Sequence, residues 1–313
     1  MKAAVITKFG KPEVIEITDL PKPKVKKGEV LILVKAAALN PKDILIRKGK
    51  FKVATGSKFP MQIGHDLSGI VTNSNDSKTF KNGDEVFGMV NGWKARTCAE
   101  FICIPENEIF HKPQNLDFEN AASIPLAGQT ALQAIRNLAK LKSEQTILIN
   151  GASGGVGTLA IQIAKAFGGH VTTVSSGRNL EFCQSLGADE MIDYSKEKIT
   201  ESDRKFDVFF DVFGNYSFPE VKHLLTEKGI YISTVPSSKI ILEQLKNPFR
   251  KKKAKLVVVK SKSADLKWFK EKIEANMIKP VTDKIFSLEE IRDAQTYIET
   301  KRAKGKIIIK IDV

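Results

Sequence analysis

Cysteine is scarce in this 313-residue chain: Cys98, Cys103 and Cys183 are the only three, and no two form a C-x-x-C pair. An odd number at such spacing argues against a disulfide framework and a structural zinc lobe, leaving reduced, half-buried side chains as the expectation. Long apolar runs are missing too, since none approaches the ~18 residues of a membrane span. Nor is a cleavable leader expected, because Met1-Lys2-Ala3-Ala4-Val5-Ile6-Thr7 passes straight into strand-like alternation. The expected location is cytoplasmic. Acid is in deficit, 36 Asp and Glu against 50 Lys and Arg, for a formal charge of +14 and a pI near 9.5. Such a field draws anions of any kind, whether a phosphorylated cofactor, nucleic acid or an acidic membrane; the plainer reading is a lysine-rich, solvated surface. No internal repeat is visible.

What the chain does have is 42% apolar residues, enough for ordinary globular domains, and a length that suggests two of them. The stretch that organises it is T-I-L-I-N-G-A-S-G-G-V-G-T-L-A-I-Q-I-A-K, residues 146–165. Residues 146–150 are a short β-branched run, and Val156, Leu159, Ala160, Ile163 and Ala164 share one helical face. The segment reads as strand, glycine turn, helix. Gly151, Gly154 and Gly157 stand where a dinucleotide turn needs no Cβ: for the tight bend, for close approach of a pyrophosphate, and for packing helix on strand. A helix N-terminus there adds free donors and a positive dipole end. In register the pattern is Ala152-x-Gly154-x-x-Gly157, an imperfect G-x-G-x-x-G, and a ligand-free glycine turn is the competing reading. Context favours the nucleotide, because a second strand, H-V-T-T-V at 170–174, follows at the right distance.

The first third reads as strands at 2–7, 14–18, 30–37, 67–73, 85–90 and 99–104, broken by Pro and Gly, which suggests an antiparallel barrel-like domain. A helix is expected over 121–140. Strands at 146–150, 171–174, 191–192, 208–211, 230–234 and 256–259 then alternate with helices, the pattern of a doubly wound parallel sheet. The tail reads helix (266–278), helix (288–301), strand (306–311), and that last strand is expected to return to the first domain. The division expected is therefore 1–118 with 263–313, and 119–262. The basic run K-N-P-F-R-K-K-K-A-K, 246–255, reads as a surface loop with only weak, nonspecific attraction for anionic lipid or nucleic acid.

With these residues in hand, the chain resembles a zinc-independent medium-chain dehydrogenase/reductase of the quinone oxidoreductase type, over essentially its whole length. The resemblance rests on A-A-A-L-N-P-K-D (36–43), G-H-D-L-S-G-I-V (64–71), P-L-A-G-Q-T-A-L (125–132), G-A-S-G-G-V-G (151–157) and L-G-A-D-E-M-I-D-Y (186–194). The stretch H-V-T-T-V-S-S-G-R-N (170–179) is similar to the branch holding the chloroplast-envelope quinone oxidoreductase homologue and the alkenal reductases. It implies an α/β chain with a GroES-like antiparallel β-barrel catalytic domain and a Rossmann domain, a cleft between them, NADPH as cofactor, frequently a homodimer, and hydride transfer to quinones or α,β-unsaturated carbonyls.

Zinc-dependent members of that superfamily carry a Cys at the position of Asn40, a His at His65, and a Cys or acid at the position of Leu126. Only His65 remains, and one imidazole cannot hold a catalytic zinc, which takes three protein ligands. Asp43 and His65 are expected to persist as a hydrogen-bonded structural pair. Lys42 stands where zinc enzymes place a proton-relaying hydroxyl; it would polarise a carbonyl or enolate oxygen, or be one more exposed charge. Leu45 stands where some relatives have a tyrosine, so the proton donor stays open, with water as the default. Asn40 is expected to donate an amide hydrogen bond toward nicotinamide or substrate.

The expected cofactor contacts are Thr130, Ala152, Ser153, Gly154, Gly155, Val156, Gly157, Ser175, Ser176, Arg178, Tyr194 and Val235. NADPH rather than NADH is expected because the second strand ends in Ser175-Ser176-Gly177-Arg178 with no acid to repel a 2′-phosphate. The reading is an NADPH-dependent, metal-free reductase of quinones or enals. Its rival is a non-catalytic NADPH-binding protein with a basic surface that contacts RNA or a membrane.

Overall fold

The computed structural model describes residues 1–312. They form two compact units, Met1–Gln129 with Lys260–Val313, and Thr130–Val259, whereas the sequence suggests divisions at 118/119 and 262/263. The first division falls inside a helix.

The first unit opens with strands β1 (Lys2–Ile6), β2 (Ile15–Asp19), β3 (Glu29–Leu39), β4 (Met61–Gln62), β5 (Asp66–Asn73), β6 (Glu85–Met89), β7 (Phe101–Pro105) and β8 (Ile109–His111). Helices α1 (Pro41–Arg47) and α2 (Lys52–Thr55) lie between β3 and β4, and α3 (Phe118–Ala122) and α4 (Pro125–Leu132) follow β8. β3 is the spine of this unit, pairing antiparallel with β5 and with β7. Its Val30, Ile32 and Val34 alternate into the core beside Leu67, Val71, Val86 and Ile102, as period-two patterning requires. Its C-terminal half switches to alanine. Ala36 and Ala38, lacking bulk, let Ala122 of α3 pack down onto the strand.

The second unit alternates: β9 (Thr146–Asn150), α5 (Gly155–Ala166), β10 (His170–Ser175), α6 (Leu180–Ser185), β11 (Glu190–Asp193), β12 (Phe206–Asp211), α7 (Phe218–Val221), β13 (Leu225–Ser233), α8 (Ser238–Leu245) and β14 (Lys253–Leu256). All six strands are parallel in the order β11-β10-β9-β12-β13-β14. Ile147, Leu148 and Ile149 are all buried, as expected of a central strand covered on both faces. The strand order reverses beside β9, so a ligand belongs at the carboxyl ends of β9 and β10.

The chain ends in the first unit with α9 (Ser263–Glu274), β15 (Thr282–Ser287), α10 (Ile291–Glu299) and β16 (Lys306–Lys310). β16 pairs antiparallel with β3, Ile307 opposite Leu39, so the tail returns to the first unit's sheet. β15 and β16 pair in parallel, an exception to the antiparallel pattern expected.

Three local expectations fail. The helix expected over 121–140 is broken into α3, α4 and a π-helical stretch, Gln133–Ala139, because Pro125 has no N–H to continue α3. The last parallel strand begins at Lys253 rather than 256, and the basic run carries it: Lys255 Nζ donates to the Leu138 carbonyl at 2.7 Å and Lys253 to the carbonyls of Asn247 and Arg250. The cysteines are fully rather than half buried, and burial pushes each thiol pKa up.

Candidate functional site

Glycine builds the turn after β9 in three distinct ways. Gly151 has φ +80°, and a Cβ there would stand 3.0 Å from that of Phe213. Gly157 lies so close under the strand end that a Cβ would meet the carbonyl oxygens of Gly151 and Ala152 at 2.3 and 2.5 Å. Gly154 caps α5 in extended conformation, and the nearest atom to a Cβ there is 3.7 Å away. Its outer side is open. Ala152 is buried, while Ser153, Gly155 and Val156 are half-buried around that opening. The first-turn amides of α5 lack intrahelical acceptors and form the positive end of the helix, so the opening is a cradle for an anion.

At the end of β10 the residues separate. Ser175 is 3% exposed, with its hydroxyl held by the Ser176 carbonyl at 3.4 Å and by Cys183 Sγ at 3.8 Å. Its hydroxyl is turned inward. Ser176 is half-buried and precedes the 3-10 turn Gly177–Asn179; Arg178 is exposed and makes no hydrogen bond or ion pair among the described residues. A Cβ on Gly177 would lie 2.5 Å from Asp193 Oδ2, so the close approach this glycine allows is that of a carboxylate. Asp193 ends β11 opposite Ser175. Hydrogen bonds from the Ser195 amide and hydroxyl, at 3.0 and 2.7 Å, hold its carboxyl below the usual range.

Tyr194 ties its N–H to the Ser175 carbonyl at 3.2 Å and leaves its ring exposed. Asn179, which the sequence reading passed over as a site residue although it follows Arg178 directly, donates to Ser153 Oγ at 2.9 Å while its carbonyl oxygen is buried with no partner among the described residues. Whichever way that amide is turned, one end lacks a bond, and an unmet buried group costs about 1–3 kcal/mol. Val235 is exposed just beyond β13, and Thr130 is buried within α4.

The first unit holds a buried polar centre. Asn40 precedes α1, with Pro41 at the first helical position; its backbone N–H donates to Asp43 Oδ2 at 2.8 Å. Asp43 Oδ1 meets His65 Nδ1 at 2.6 Å, both side chains fully buried, so the expected pair forms. Burial alone would raise the Asp43 carboxyl, but His65, the Asn40 N–H and Lys306 hold it below the usual range. The Asn40 side chain is saturated inward. Its amide donates to Asp66 Oδ2 at 2.9 Å and to the Ala38 carbonyl at 3.3 Å, while its oxygen accepts from Lys306 Nζ at 2.6 Å. It therefore lacks the outward donor expected of it.

Lys306 and Asp66, not among the site residues expected from the sequence, are the hub. Lys306 Nζ also donates to Asp66 Oδ2 at 3.0 Å and to the Leu39 carbonyl at 3.1 Å. Asp66 Oδ1 accepts the Leu126 amide at 2.7 Å, which ties the start of α4 to this centre. The adjacency of Asp66 to His65 in G-H-D was a usable signal. Lys306, 240 residues away, left none in the local pattern. Zinc does not fit this donor set. An ammonium already sits on the Asn40 oxygen and would repel a cation, and among the described residues no group of three His, Cys, Asp or Glu side chains is placed to hold a metal.

Lys42, half-buried on α1, donates to the Gly92 carbonyl at 2.5 Å and lies 4.9 Å over the Trp93 ring. Trp93 packs on Phe51 at 4.5 Å between centroids, tilted 40°. Burial pulls the Lys42 pKa down, against the opposing pull of Asp43 and Asp66. The result is an ammonium with an aromatic pair at its side.

Residues 26–114 match the alcohol dehydrogenase GroES-like domain family, and residues 186–309 the zinc-binding dehydrogenase family. Across 99% of the chain it is 38% identical to the 2-methylene-furan-3-one reductase of Solanum lycopersicum, and 35% identical to the chloroplastic NADPH-dependent alkenal/one oxidoreductase of Arabidopsis thaliana; each alignment covers 79% of the relative. The solved quinone oxidoreductase of Coxiella burnetii superposes with a TM-score of 0.91 at 32% identity, covering 100% of this chain and 99% of that one. The fold is that of the medium-chain dehydrogenase/reductases, a GroES-like domain joined to a Rossmann-type domain. The chain belongs to their quinone oxidoreductase and alkenal reductase group, a family of NAD(P)H-dependent oxidoreductases.

Proposed function

We propose that this protein is an NADPH-dependent reductase of conjugated carbonyl compounds, quinones or enals and enones, working without a metal. The observation that carries the reading is the rim at the end of β10: Arg178 exposed and, among the described residues, unpaired, beside the open N-terminus of α5. The α5 amides and the open side of Gly154 take the pyrophosphate. Ser176, Arg178 and the Tyr194 ring take the 2′-phosphate; Asp193 is turned to Ser195 and Gly177 and does not claim the arginine. Asn179 offers its unmet amide end to a ribose hydroxyl. Thr130 and Val235 complete the cofactor contacts. NADPH, when bound, supplies a hydride from its nicotinamide.

Lys42 holds the acceptor's carbonyl oxygen by an ammonium hydrogen bond and delivers the proton as negative charge builds there. The Phe51 and Trp93 rings stack on the conjugated plane. Asn40, Asp43, His65, Asp66 and Lys306 fix the start of α1 and so the place of Lys42. Orientation of the acceptor supplies most of the acceleration. Following NADPH absorbance with a panel of quinones, enals and ring enones tests the reading: turnover with at least one class is expected. Tight NADPH binding without oxidation by any of them would leave the non-catalytic alternative standing.

A further inference from the structure

The sequence places no acid at the end of β10, but the fold brings one there from the neighbouring strand. β10 and β11 run parallel with Ser175 opposite Asp193, so the carboxylate that ends β11 comes up beside the turn that carries Gly177 and Arg178. Gly177 makes room for it. Asp193 Oδ2 lies 2.5 Å from the place a Cβ on Gly177 would take, while Oδ1 accepts the Ser195 N–H at 3.0 Å and its hydroxyl at 2.7 Å. Those donors, the N–H first, hold the carboxyl below its usual range, so it is an anion at neutral pH. No partner cancels that charge. Among the described residues Asp193 makes no ion pair; Arg178, next to Gly177 in the chain, stays unpaired as well, and the exposed Lys196 acts on the carboxylate from beyond ion-pair distance.

We infer that Asp193 is a specificity-determining residue of the cofactor site: Arg178 attracts the 2′-phosphate, the Asp193 carboxylate repels it, and the preference for NADPH over NADH is the difference between the two. The inference rests on the assignment of the 2′-phosphate to Ser176, Arg178 and Tyr194. An adenine ribose held at the end of the second strand sets its 2′ position beside this turn, and a phosphate ester there carries about −1.5 to −2 charge. Both anions then border the same three residues. At that range a half-buried carboxylate is screened only in part. A bare 2′-hydroxyl has no charge and donates to a carboxylate, the way acids beside this ribose recognise NADH. Arg178 thus sets the sign of the preference, and Asp193 limits its size. The competing role for Asp193 is structural, an acceptor that holds the turn. The two roles differ in sign: removing the charge while keeping an acceptor strengthens NADPH in the first case, and leaves or weakens both cofactors in the second.

Titration of the intact protein with NADPH and NADH, and with the fragments 2′,5′-ADP and 5′-AMP, tests it at low and at high salt. Wild type should bind the 2′-phosphorylated member of each pair more tightly; if it does not, the cofactor reading fails and this inference with it. Asp193→Asn, which keeps an oxygen to accept from Ser195, should bind NADPH and 2′,5′-ADP about fivefold more tightly at low salt, and the gain should shrink as salt rises. NADH and 5′-AMP should bind no tighter than before. Asp193→Ser, also uncharged, should shift the same way. In the double variant Arg178→Ala, Asp193→Asn the two effects should largely offset, leaving NADPH affinity within about threefold of wild type. The inference is overturned if both single variants, folded by their melting curves, bind NADPH as wild type does or more weakly, if NADH gains by the same factor, or if the gain is indifferent to salt. A wild type that prefers the 2′-phosphorylated ligands, with that preference unchanged in Asp193→Asn, would keep the cofactor reading and dismiss this one.

Discussion

Arg178 is the residue on which cofactor choice turns, and its exposure sets the size of the effect. A charge-assisted hydrogen bond contributes about 1.5–3 kcal/mol, which in affinity is roughly tenfold to a hundredfold. Solvent screening of an exposed guanidinium favours the lower end. Arg178→Ala should therefore weaken NADPH by about tenfold and leave NADH nearly unchanged; equal wild-type affinity for the two cofactors would refute the assignment. Lys42 makes a second prediction, with a sign fixed by its surroundings. Because burial lowers its pKa from the ordinary lysine value, the protonated form that donates to the acceptor is lost as pH rises through a point below that value. Activity should fall on the alkaline side, and Lys42→Met should lower kcat by roughly a hundredfold and remove that alkaline limb. A pH profile of kcat for both proteins decides it, since an unchanged limb in the variant assigns the ionisation elsewhere. Asn40 teaches the limit of residue-level reading: its type suited a donor toward the ligand, but a lysine from β16 and an aspartate from β5 claim both ends of its amide.

At the scale of the element, the turn between β9 and α5 separates two roles that glycine plays. A methyl at Gly154 has room in the protein, the nearest atom lying 3.7 Å off, but would stand on the open side assigned to the pyrophosphate. Gly154→Ala should thus melt within a degree or so of wild type while binding NADPH far more weakly. A methyl at Gly157 meets two backbone carbonyls within 2.5 Å, so Gly157→Ala should lower the melting temperature of the protein without any cofactor present. Thermal melts and NADPH titrations of both variants check this, and a destabilised Gly154→Ala would show that the opening is structural. This element was legible because its pattern is local, a β-branched run, glycines at fixed offsets and a 3.6-residue repeat. α8 was not. Four turn-forming or helix-neutral residues, Pro236 to Lys239, precede its apolar face, and its outward Ile241, Leu242 and Leu245 break the polar-out rule by which a surface helix is read. The displaced start of β14 has the same cause, since Lys253 and Lys255 are poor strand signals whose ammonium groups find backbone carbonyls only after folding.

At the scale of the whole molecule, the two-unit plan was visible in the change from strand runs to alternating strands and helices, but the centre of the first unit was not, because three distant segments compose it. Residues 40–43, 65–66 and 306 come together only when β16 pairs with β3, setting Lys306 beside Leu39 and Asn40. That convergence bears on what the molecule as a whole contains. One family it matches is named for zinc, yet here the first ligand position is an amide already bound by an ammonium, the third is the alkyl side chain of Leu126, and His65 spends one ring nitrogen on Asp43. A divalent ion placed there would face Lys306 at close range and lack the three ligands a catalytic zinc needs. Elemental analysis of the purified protein should accordingly find zinc well below one atom per chain, and prolonged chelation should leave both the melting temperature and NADPH oxidation where they were. A stoichiometric zinc whose removal abolishes turnover would mean that the Lys306 ammonium moves aside to admit it, and the metal-free route proposed for this site would have to be abandoned.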